Sequence, residues 1–438
     1  MIRWVDRWLR DHTQIATNAL SLYATTLVTS VLGFAFWLLA AHQFSTHEVG
    51  DAAALISLLQ LVATASVLGL NTMVIGELSK GVTTAGPLLA TSSMVVLVVS
   101  VAASVAVCIV GSFVSTTYSI LLGNVFAGTV FTLATVATAL TILLDDACIG
   151  VLQGRLQLHR NAFFSILKLA LIPVMAVLIP RSHGTSLELT WLIATAVSLL
   201  FLRPLWRLGS TSHRIEPQLI RTYAGLALRH HWLNISLQAP RLAIPALAVS
   251  LVGTTATAGY YTAATIVGFI SIIPMHFSTV LFALRAGDYG QLRREVRFTL
   301  SISTLVSAIS VPVILVTAGE VLRTFGPAYV VARGAMVLLA LTTLPSAFKV
   351  HYVAILRVQG RLLRAAVVTT VGVLVEVASA AAFSRSMGVT GLAFGLLIAQ
   401  VAEAVWFGPA VLRMVFGRSA PSGRVEPPKV QQTAAAGG

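Results

Sequence analysis

Apolar runs of about 20 residues recur along the whole chain, separated by short polar or charged stretches. A run of that length, coiled as an α-helix, crosses the roughly 30 Å hydrocarbon core of a bilayer. The pattern predicts about 12 transmembrane helices, the sixth the shortest and the fourth longer than a bilayer requires. The predicted spans are 15–42, 49–75, 87–112, 118–151, 161–180, 187–202, 231–252, 256–284, 298–318, 333–356, 365–384 and 389–412.

The composition agrees with an all-α polytopic membrane protein. Hydrophobic residues make up 57% of the 438 residues, charged residues only 10%, and the mean hydropathy is +0.88. A soluble domain carries roughly 25% charged residues. Residues 1–14, MIRWVDRWLRDHTQ, are too polar for the apolar core of a signal peptide and predict a short interfacial segment. The Pro-, Gly- and Ala-rich end, 417–438, predicts a disordered tail.

The net charge of +14 is explained by topology rather than by nucleic-acid binding. With the N-terminus inside, 22 of the 29 Lys and Arg residues fall on the cytoplasmic side and 4 on the outer side. This asymmetry follows the positive-inside rule. It predicts a multi-pass protein of the plasma (inner) membrane with both termini in the cytoplasm. The three basic residues left within spans are Lys168, Arg241 and Lys349.

The chain carries no pattern typical of an enzyme or of a metal or cofactor site. Its two cysteines, Cys108 and Cys148, fall in spans and predict small packing residues rather than a disulfide or a zinc site. The predicted outer loops are short and hold no pair of carboxylates suited to acid–base catalysis. No GxxxxGK[ST] phosphate loop is present, so the chain does not itself hydrolyse nucleotide.

An internal repeat divides the chain into two halves. QGRL occurs at 153–156 and again at 359–362, and two further matches lie at nearly the same offset. Six helices per half give both halves the same orientation, and such parallel repeats are a transporter architecture with the substrate site between them. The predicted organisation is an interfacial segment (1–14), an N-lobe (15–208), a C-lobe (209–416) and a cytoplasmic tail (417–438).

Four stretches resemble one transporter family in the order in which that family carries them. The resemblance is to the polysaccharide-biosynthesis, O-antigen-type flippase branch of the multidrug/oligosaccharidyl-lipid/polysaccharide (MOP) superfamily, and it covers about residues 15–412. It implies two six-helix lobes around a central cavity, as in MATE transporters, and translocation of polyprenyl-diphosphate-linked oligosaccharide from the inner to the outer leaflet. The stretches are HEVGDAAALISLLQLVATASVLGLN (47–71), GTTATAGYYTAATIVGFISIIP (253–274), GEVLRTFGPAYVVA (319–332) and the segment 358–400, which contains GVTGLAFG.

Arg241 is the most central of the three intramembrane cations. An ionised basic group at a helix centre costs roughly 2.5–3.5 kcal/mol, so such residues face a wet cavity or a partner. Arg241 lies between Pro240 and Pro245, which loosen the helix. Its planar guanidinium suits phosphate oxygens, and by resemblance its helix lines the cavity, so we predict a diphosphate clamp. The alternative is a structural ion pair with a carboxylate on a neighbouring helix. Members of the family that the chain resembles carry an acidic residue where this chain has Pro240, so that local partner is missing here.

Other polar residues within spans are weaker candidates for substrate contact. Lys349 and Lys168 are predicted auxiliary cations, although both could instead reach towards the membrane surface. Four uncharged residues could bind sugar hydroxyls or, as is more common in membranes, join helices to one another: Tyr23, Asn71, Asn234 and Gln238.

Intramembrane carboxylates are candidates for coupling transport to an ion gradient. Glu376 is the most deeply placed, and Glu403 and His276 are further candidates for a proton or sodium site. The alternative for Glu376 is a structural partner for Arg241 or Lys349. Asp145 and Asp146 have a further alternative, a helix end in contact with water. Drug-exporting relatives in the superfamily that the chain resembles carry a coupling carboxylate in the first span. That span contains no Asp or Glu here, which weakens the interpretation as a multidrug antiporter.

The combined prediction is a non-enzymatic flippase for cell-surface polysaccharide synthesis, working by alternating access. Its predicted partners are the lipid-linked glycan, membrane lipids, and glycosyltransferases or a polymerase of the same pathway, with no cofactor and no nucleic acid. Two alternatives remain: an ion-coupled multidrug exporter of the same fold, and a membrane scaffold of polysaccharide assembly that transports nothing. The glycan and the coupling ion are not encoded in any recognisable motif.

Overall fold

The chain folds as a bundle of long helices. The computed structural model describes residues 2–79, 85–179, 184–207, 214–283 and 289–416, with the backbone alone for 2–20, 22, 23, 206, 220, 222, 226, 270–283 and 289–291. No β-strand occurs in these residues. The helices are α1 (Ile2–Gln43), α2 (Thr46–Ser66), α3 (Leu70–Leu78), α4 (Ala85–Gly111), α5 (Thr116–Gly123), α6 (Val125–Gly150), α7 (Gly154–Leu178), α8 (Thr185–Ser198), α9 (Pro217–Val252), α10 (Thr254–Ala283), α11 (Tyr289–Arg323), α12 (Arg333–Val358) and α13 (Leu362–Phe416).

The predicted all-α polytopic fold is confirmed. Within the described residues, ten helical segments are long and apolar enough to cross a membrane. The last of them, α13, contains two predicted spans, because Gly388 interrupts it with a non-helical backbone conformation (φ 56°, ψ −136°). Helix α10 occupies the position of the eighth predicted span. These two additions account for the twelve spans of the sequence prediction.

Three predicted boundaries differ from the structure. The fourth span (118–151) is not one helix, because Asn124 ends α5 and caps α6 by accepting hydrogen bonds from the backbone N–H groups of Phe126 and Ala127. The short sixth span is lengthened by a 3₁₀ helix, Leu199–Arg207. The predicted interfacial segment is continuous with the first span in α1. The predicted tail, 417–438, lies outside the described residues.

The second predicted span also contains a break. Leu68 (φ 51°) and Gly69 (φ 75°) adopt left-handed conformations between α2 and α3. Such a conformation is rare for leucine and strained. Gly69 also packs directly on the carbonyl group of Ala227 in α9, where a side chain would collide with backbone. The break therefore lets α2 and α3 follow the surface of α9 closely.

The apolar core is shared at one end of the bundle and divided at the other. At the predicted outer end a single core joins the N-lobe (α1–α8) to the C-lobe (α9–α13), with Phe34 packed on Phe325 and Trp37 on Tyr261. At the predicted cytoplasmic end each lobe has its own core. Among the helices as far as they are described, only α9 takes part in both, because Ala227 belongs to the N-lobe core and Leu233 to the C-lobe core.

The closed outer end depends on a glycine. A Cβ atom added at Gly50 in α2 would overlap the carbonyl oxygen of Thr254 at the start of α10 in the other lobe. We expect Gly50→Ala to lower the free energy of unfolding by about 1–3 kcal/mol, the usual cost of overpacking, as measured by unfolding in detergent. The matched control is Gly33→Ala, which meets no atom within 4 Å. Equal stabilities of the two variants would contradict a close approach of the lobes here.

Candidate functional site

Arg241 lies on a polar stripe of α9. It is exposed, as is Gln238, and within the described residues it has neither a hydrogen bond nor an ion pair. Asn234 is seven residues earlier, two helical turns below, and therefore lies on nearly the same face. Pro240 and Pro245 lie inside α9 without ending it. The stripe of Asn234, Gln238 and Arg241 thus runs along an uninterrupted helix.

Asn234 shows that this stripe faces the other lobe. Its amide Nδ2 donates to Thr72 Oγ1 of α3 at 3.2 Å, while its Oδ1 accepts from Arg357 Nη2 of α12 at 2.9 Å. Asn234 therefore joins the two lobes towards the predicted cytoplasmic end. Towards the outer end, α9 meets the N-lobe again, because the Tyr118 hydroxyl of α5 donates to the carbonyl of Ala246 in α9. Both contacts place the stripe on the side of α9 between the lobes.

Lys349 does not join this stripe, because it lies in a buried ionic cluster within the C-lobe. Its Nζ is 3.1 Å from Glu376 Oε1 and 3.1 Å from Glu403 Oε1. The three side chains come from α12 and from the two halves of α13 on either side of Gly388, and all are at least nine-tenths buried. The structure thus brings together one predicted substrate cation and two predicted ion-coupling carboxylates.

The cluster is tightly packed and electrically unbalanced. A Cβ atom at Gly372 would overlap the Glu403 carboxylate, so only glycine leaves room for it. Glu376 Oε2 is buried and accepts no hydrogen bond from the part of the chain that the structure describes. Two ionised carboxylates against one ammonium would leave a charge of −1 in an apolar interior, which is costly unless a proton or a cation neutralises it. The arrangement is chemically suited to holding one monovalent positive charge.

Lys168 lies apart from both groups, in the N-lobe. It is buried, and its Nζ is 5.0, 4.8 and 4.6 Å from the ring centroids of Phe36, Phe164 and Trp191. Aromatic faces attract cations, most strongly when the cation is desolvated. No carboxylate in the described residues forms an ion pair with Lys168. For Lys168 to act as the predicted auxiliary substrate cation, the substrate would need a route from the cavity to this cage of three aromatic rings.

Asn71 and the neighbouring acids tie helices together at the predicted cytoplasmic end. Asn71 Nδ2 donates to Asp146 Oδ2 at 2.7 Å, joining α3 to α6. Asp145 forms an ion pair with Arg160 Nη2 at 2.6 Å, and Arg160 is buried. Arg160 therefore belongs to the helix bundle, although the sequence pattern assigned it to a cytoplasmic loop. The predicted sites Tyr23 and His276 have side chains outside the described residues.

Two buried acids escaped the sequence analysis. Asp51 of α2 accepts a hydrogen bond from Thr117 of α5 at 2.9 Å and lies 3.2 Å from His47 Nδ1. The adjacent Tyr118 crosses to the other lobe and donates its hydroxyl to the carbonyl of Ala246 in α9. Glu188 of α8 is fully buried, and neither carboxylate oxygen has a hydrogen-bond partner. The signal for both was a single acid inside an apolar run.

The described residues hold no group of three or more His, Cys, Asp or Glu side chains placed to bind a metal ion. The candidate site has three parts. The first is the exposed Arg241 between the lobes, and the second is the buried ionic cluster around Lys349 in the C-lobe. The third consists of Lys168 and Glu188 in the N-lobe, neither of which has an ion pair in the described residues.

Solved structures with a similar fold are transporters. An inward-facing multidrug resistance transporter of the MATE family, in the MOP superfamily, superimposes with a TM-score of 0.69 at 12% identity, over 91% of this chain and 98% of the transporter. An outward-facing structure of a MATE multidrug transporter gives 0.66 at 13% identity, over 93% and 96%. A MOP transporter from Pyrococcus furiosus, described as having a binding pocket of reverse polarity, gives 0.61 at 13% identity, over 92% and 96%.

No protein-family model matches the sequence, and no curated protein matches it. The structural likeness shows the fold, which is that of the MATE transporters.

Proposed function

We propose that this chain is a flippase that moves a polyprenyl-diphosphate-linked oligosaccharide across the membrane by alternating access. The fold supports membrane transport, because the structures it resembles are transporters in inward-facing and outward-facing forms. The sequence resemblance to polysaccharide flippases supports the lipid-linked glycan as the cargo. The charge pattern supports the proposed location, which is the plasma membrane with both termini in the cytoplasm.

The observation that carries the proposal is Arg241. Its guanidinium is exposed on the side of α9 between the lobes, without an ion pair in the described residues. A structural arginine in a membrane would be paired, so an unpaired one is available to an anion. Diphosphate suits it, because the planar fork of donors binds two oxygens at once. Gln238, on the same stripe, can add a neutral hydrogen bond to phosphate or sugar.

The packing supports entry of the substrate from the cytoplasmic side. The lobes share one core at the predicted outer end and have separate cores at the other end. A diphosphate entering there would pass Asn234 and Arg357 before it reached Arg241, which lies two turns deeper on α9. Outward release would require the outer contacts to break, including that between Tyr118 and Ala246.

The buried cluster of Lys349, Glu376 and Glu403 is the proposed coupling site. Its unbalanced negative charge favours the binding of one proton or one sodium ion. Its side chains come from α12 and from both halves of α13, so a rearrangement of these helices would change the site. A lysine held between two carboxylates is unsuited to direct substrate binding, so Arg241 remains the main anion clamp. We also retain His276 as a proposed coupling residue and Tyr23 as a proposed sugar contact.

A multidrug exporter is the second candidate, and a specific observation favours it: two of the similar structures are multidrug resistance transporters. The fold is equally compatible with either cargo. Exporters of cationic drugs require an anionic cavity, whereas the exposed group on α9 is a cation. The Pyrococcus furiosus transporter, for which reverse pocket polarity was taken to suggest a different function, shows that cavity charge varies on this fold. The third candidate function is a scaffold that transports nothing and acts beside glycosyltransferases or a polymerase.

Native mass spectrometry of the gently extracted protein tests the cargo. We expect a polyprenyl-diphosphate sugar to accompany the protein, and its mass would identify the glycan. Purified protein in vesicles should then move that lipid between leaflets, measured by access of an external glycosidase or lectin to the sugar. Transport of a cationic dye without movement of the lipid would favour the exporter. Only bulk phospholipid, with neither activity, would favour the scaffold.

A further inference from the structure

Glu188 is a buried acid that the proposed transport cycle does not yet use. It lies in the first turn of α8, its side chain is fully buried, and neither carboxylate oxygen accepts a hydrogen bond from any residue that the structure describes. No ion pair reaches it in the described residues. An ionised carboxylate without a donor or a cation is among the most unfavourable groups in an apolar interior. In this conformation, therefore, Glu188 must carry a proton or be neutralised in some other way.

A buried cation without an anion lies beside the same helix. Lys168 of α7 is enclosed by Phe36, Phe164 and Trp191 and forms no ion pair in the described residues. Trp191 is three residues after Glu188, so the two side chains are neighbours on one face of α8. Among the buried cations described in the N-lobe, Arg160 is already paired with Asp145. Lys168 is thus a buried cation, without an anion in the described residues, that packs on the same helix as Glu188.

Other titratable groups on the helices around Glu188 offer no comparable partner. Cys108 of α4 is a buried thiol and carries no positive charge. Asp51 of α2, whose backbone touches Gly184 at the start of α8, is another acid and hydrogen-bonds to Thr117. Asp145 and Asp146 lie at the far end of α6. Among the described residues, none of these groups supplies a positive charge to Glu188.

We infer that Glu188 is a proton-binding site of the N-lobe, protonated in this conformation, and that the caged Lys168 is the cation that the carboxylate would approach on losing its proton. The proton would leave when a movement of α7 against α8 joined the carboxylate to the ammonium, or when water reached it. Because proton affinity would then differ between two conformations, proton binding would bias the conformational equilibrium. The binding site stands on the geometry alone; its use in coupling rests on the proposed transport function.

Infrared difference spectroscopy of the protein in vesicles tests this inference. A protonated carboxyl group has a carbonyl stretch that an ionised carboxylate lacks. We expect the parent protein to show this band, to lose it as the pH rises, and to exceed Glu188→Gln by one carboxyl group per chain. Glu320→Gln is the matched control, because Glu320 is exposed and paired with Arg323, and it should keep the band.

Glutamine is nearly isosteric with protonated glutamate, so Glu188→Gln should unfold at the parent temperature, which shows that the spectra compare folded proteins. Identical spectra for the parent and Glu188→Gln over the whole pH range would overturn the inference. So would a carboxylate signal from Glu188 at every pH. The test involves no transport, so a failure of the proposed cargo would leave its result intact.

Discussion

Arg241→Ala is expected to lower the rate of lipid-diphosphate translocation by about 10- to 100-fold while the protein folds normally. A hydrogen bond to a charged group contributes about 1.5–3 kcal/mol, and each 1.4 kcal/mol corresponds to about a tenfold change. Folding should be unaffected because the Arg241 side chain is exposed and unpaired in the described residues. Its removal leaves no buried carboxylate without a partner.

The measurement is the leaflet-exchange assay in vesicles, made for three variants. Arg229→Ala is the matched control, since Arg229 is an exposed arginine on the same helix, three turns towards the predicted cytoplasmic end. It should transport at close to the parent rate. Arg241→Lys keeps the charge but loses the planar fork, so an intermediate rate is expected. Parent-like transport by Arg241→Ala would remove the diphosphate clamp from the proposal.

The spacing of apolar runs was sufficient to predict the all-α polytopic fold, because it reports a local requirement of the bilayer: a span must be apolar over its length. Charge placement predicts the orientation, since cytoplasmic loops carry an excess of Lys and Arg. The breaks inside spans were not predicted. Asn124 and Gly69 each lie within a continuous apolar stretch, and their effect depends on backbone hydrogen bonds and on contact with α9 that hydropathy does not report.

The pairing of the intramembrane charges could not be predicted in the same way. The sequence identified Lys349, Glu376 and Glu403 as unusual, but whether the lysine faces a cavity or a carboxylate depends on how α12 and α13 rotate against each other. Those rotations are set by packing, including the small residue at Gly372. Glu188 was missed for a related reason: one acid near the start of a span looks the same whether it reaches water or is buried.

Lys349→Met is expected to destabilise the protein by about 3–5 kcal/mol, because it leaves two buried carboxylates without their shared cation. Glu376→Gln should cost far less, since it leaves one ammonium facing one carboxylate and removes the excess negative charge. The two partners of this ion pair are therefore expected to contribute unequally to stability, the lysine more than Glu376. Unfolding in detergent, followed by loss of helical signal, measures both. The control Lys168→Met removes a caged lysine that has no anion and should cost about 2 kcal/mol or less.

The triple variant Lys349→Met, Glu376→Gln, Glu403→Gln separates structure from coupling. Replacing a whole buried ionic group by neutral residues is often neutral or stabilising, so this variant should recover most of the stability that Lys349→Met loses. If the cluster only holds helices together, transport should recover with stability. If it binds the coupling ion, the stable triple variant should still move lipid down a concentration gradient but lose its response to an imposed proton or sodium gradient. A triple variant that remained as unstable as Lys349→Met would mean that the cluster's geometry, not its charge balance, determines the packing of α12 on α13.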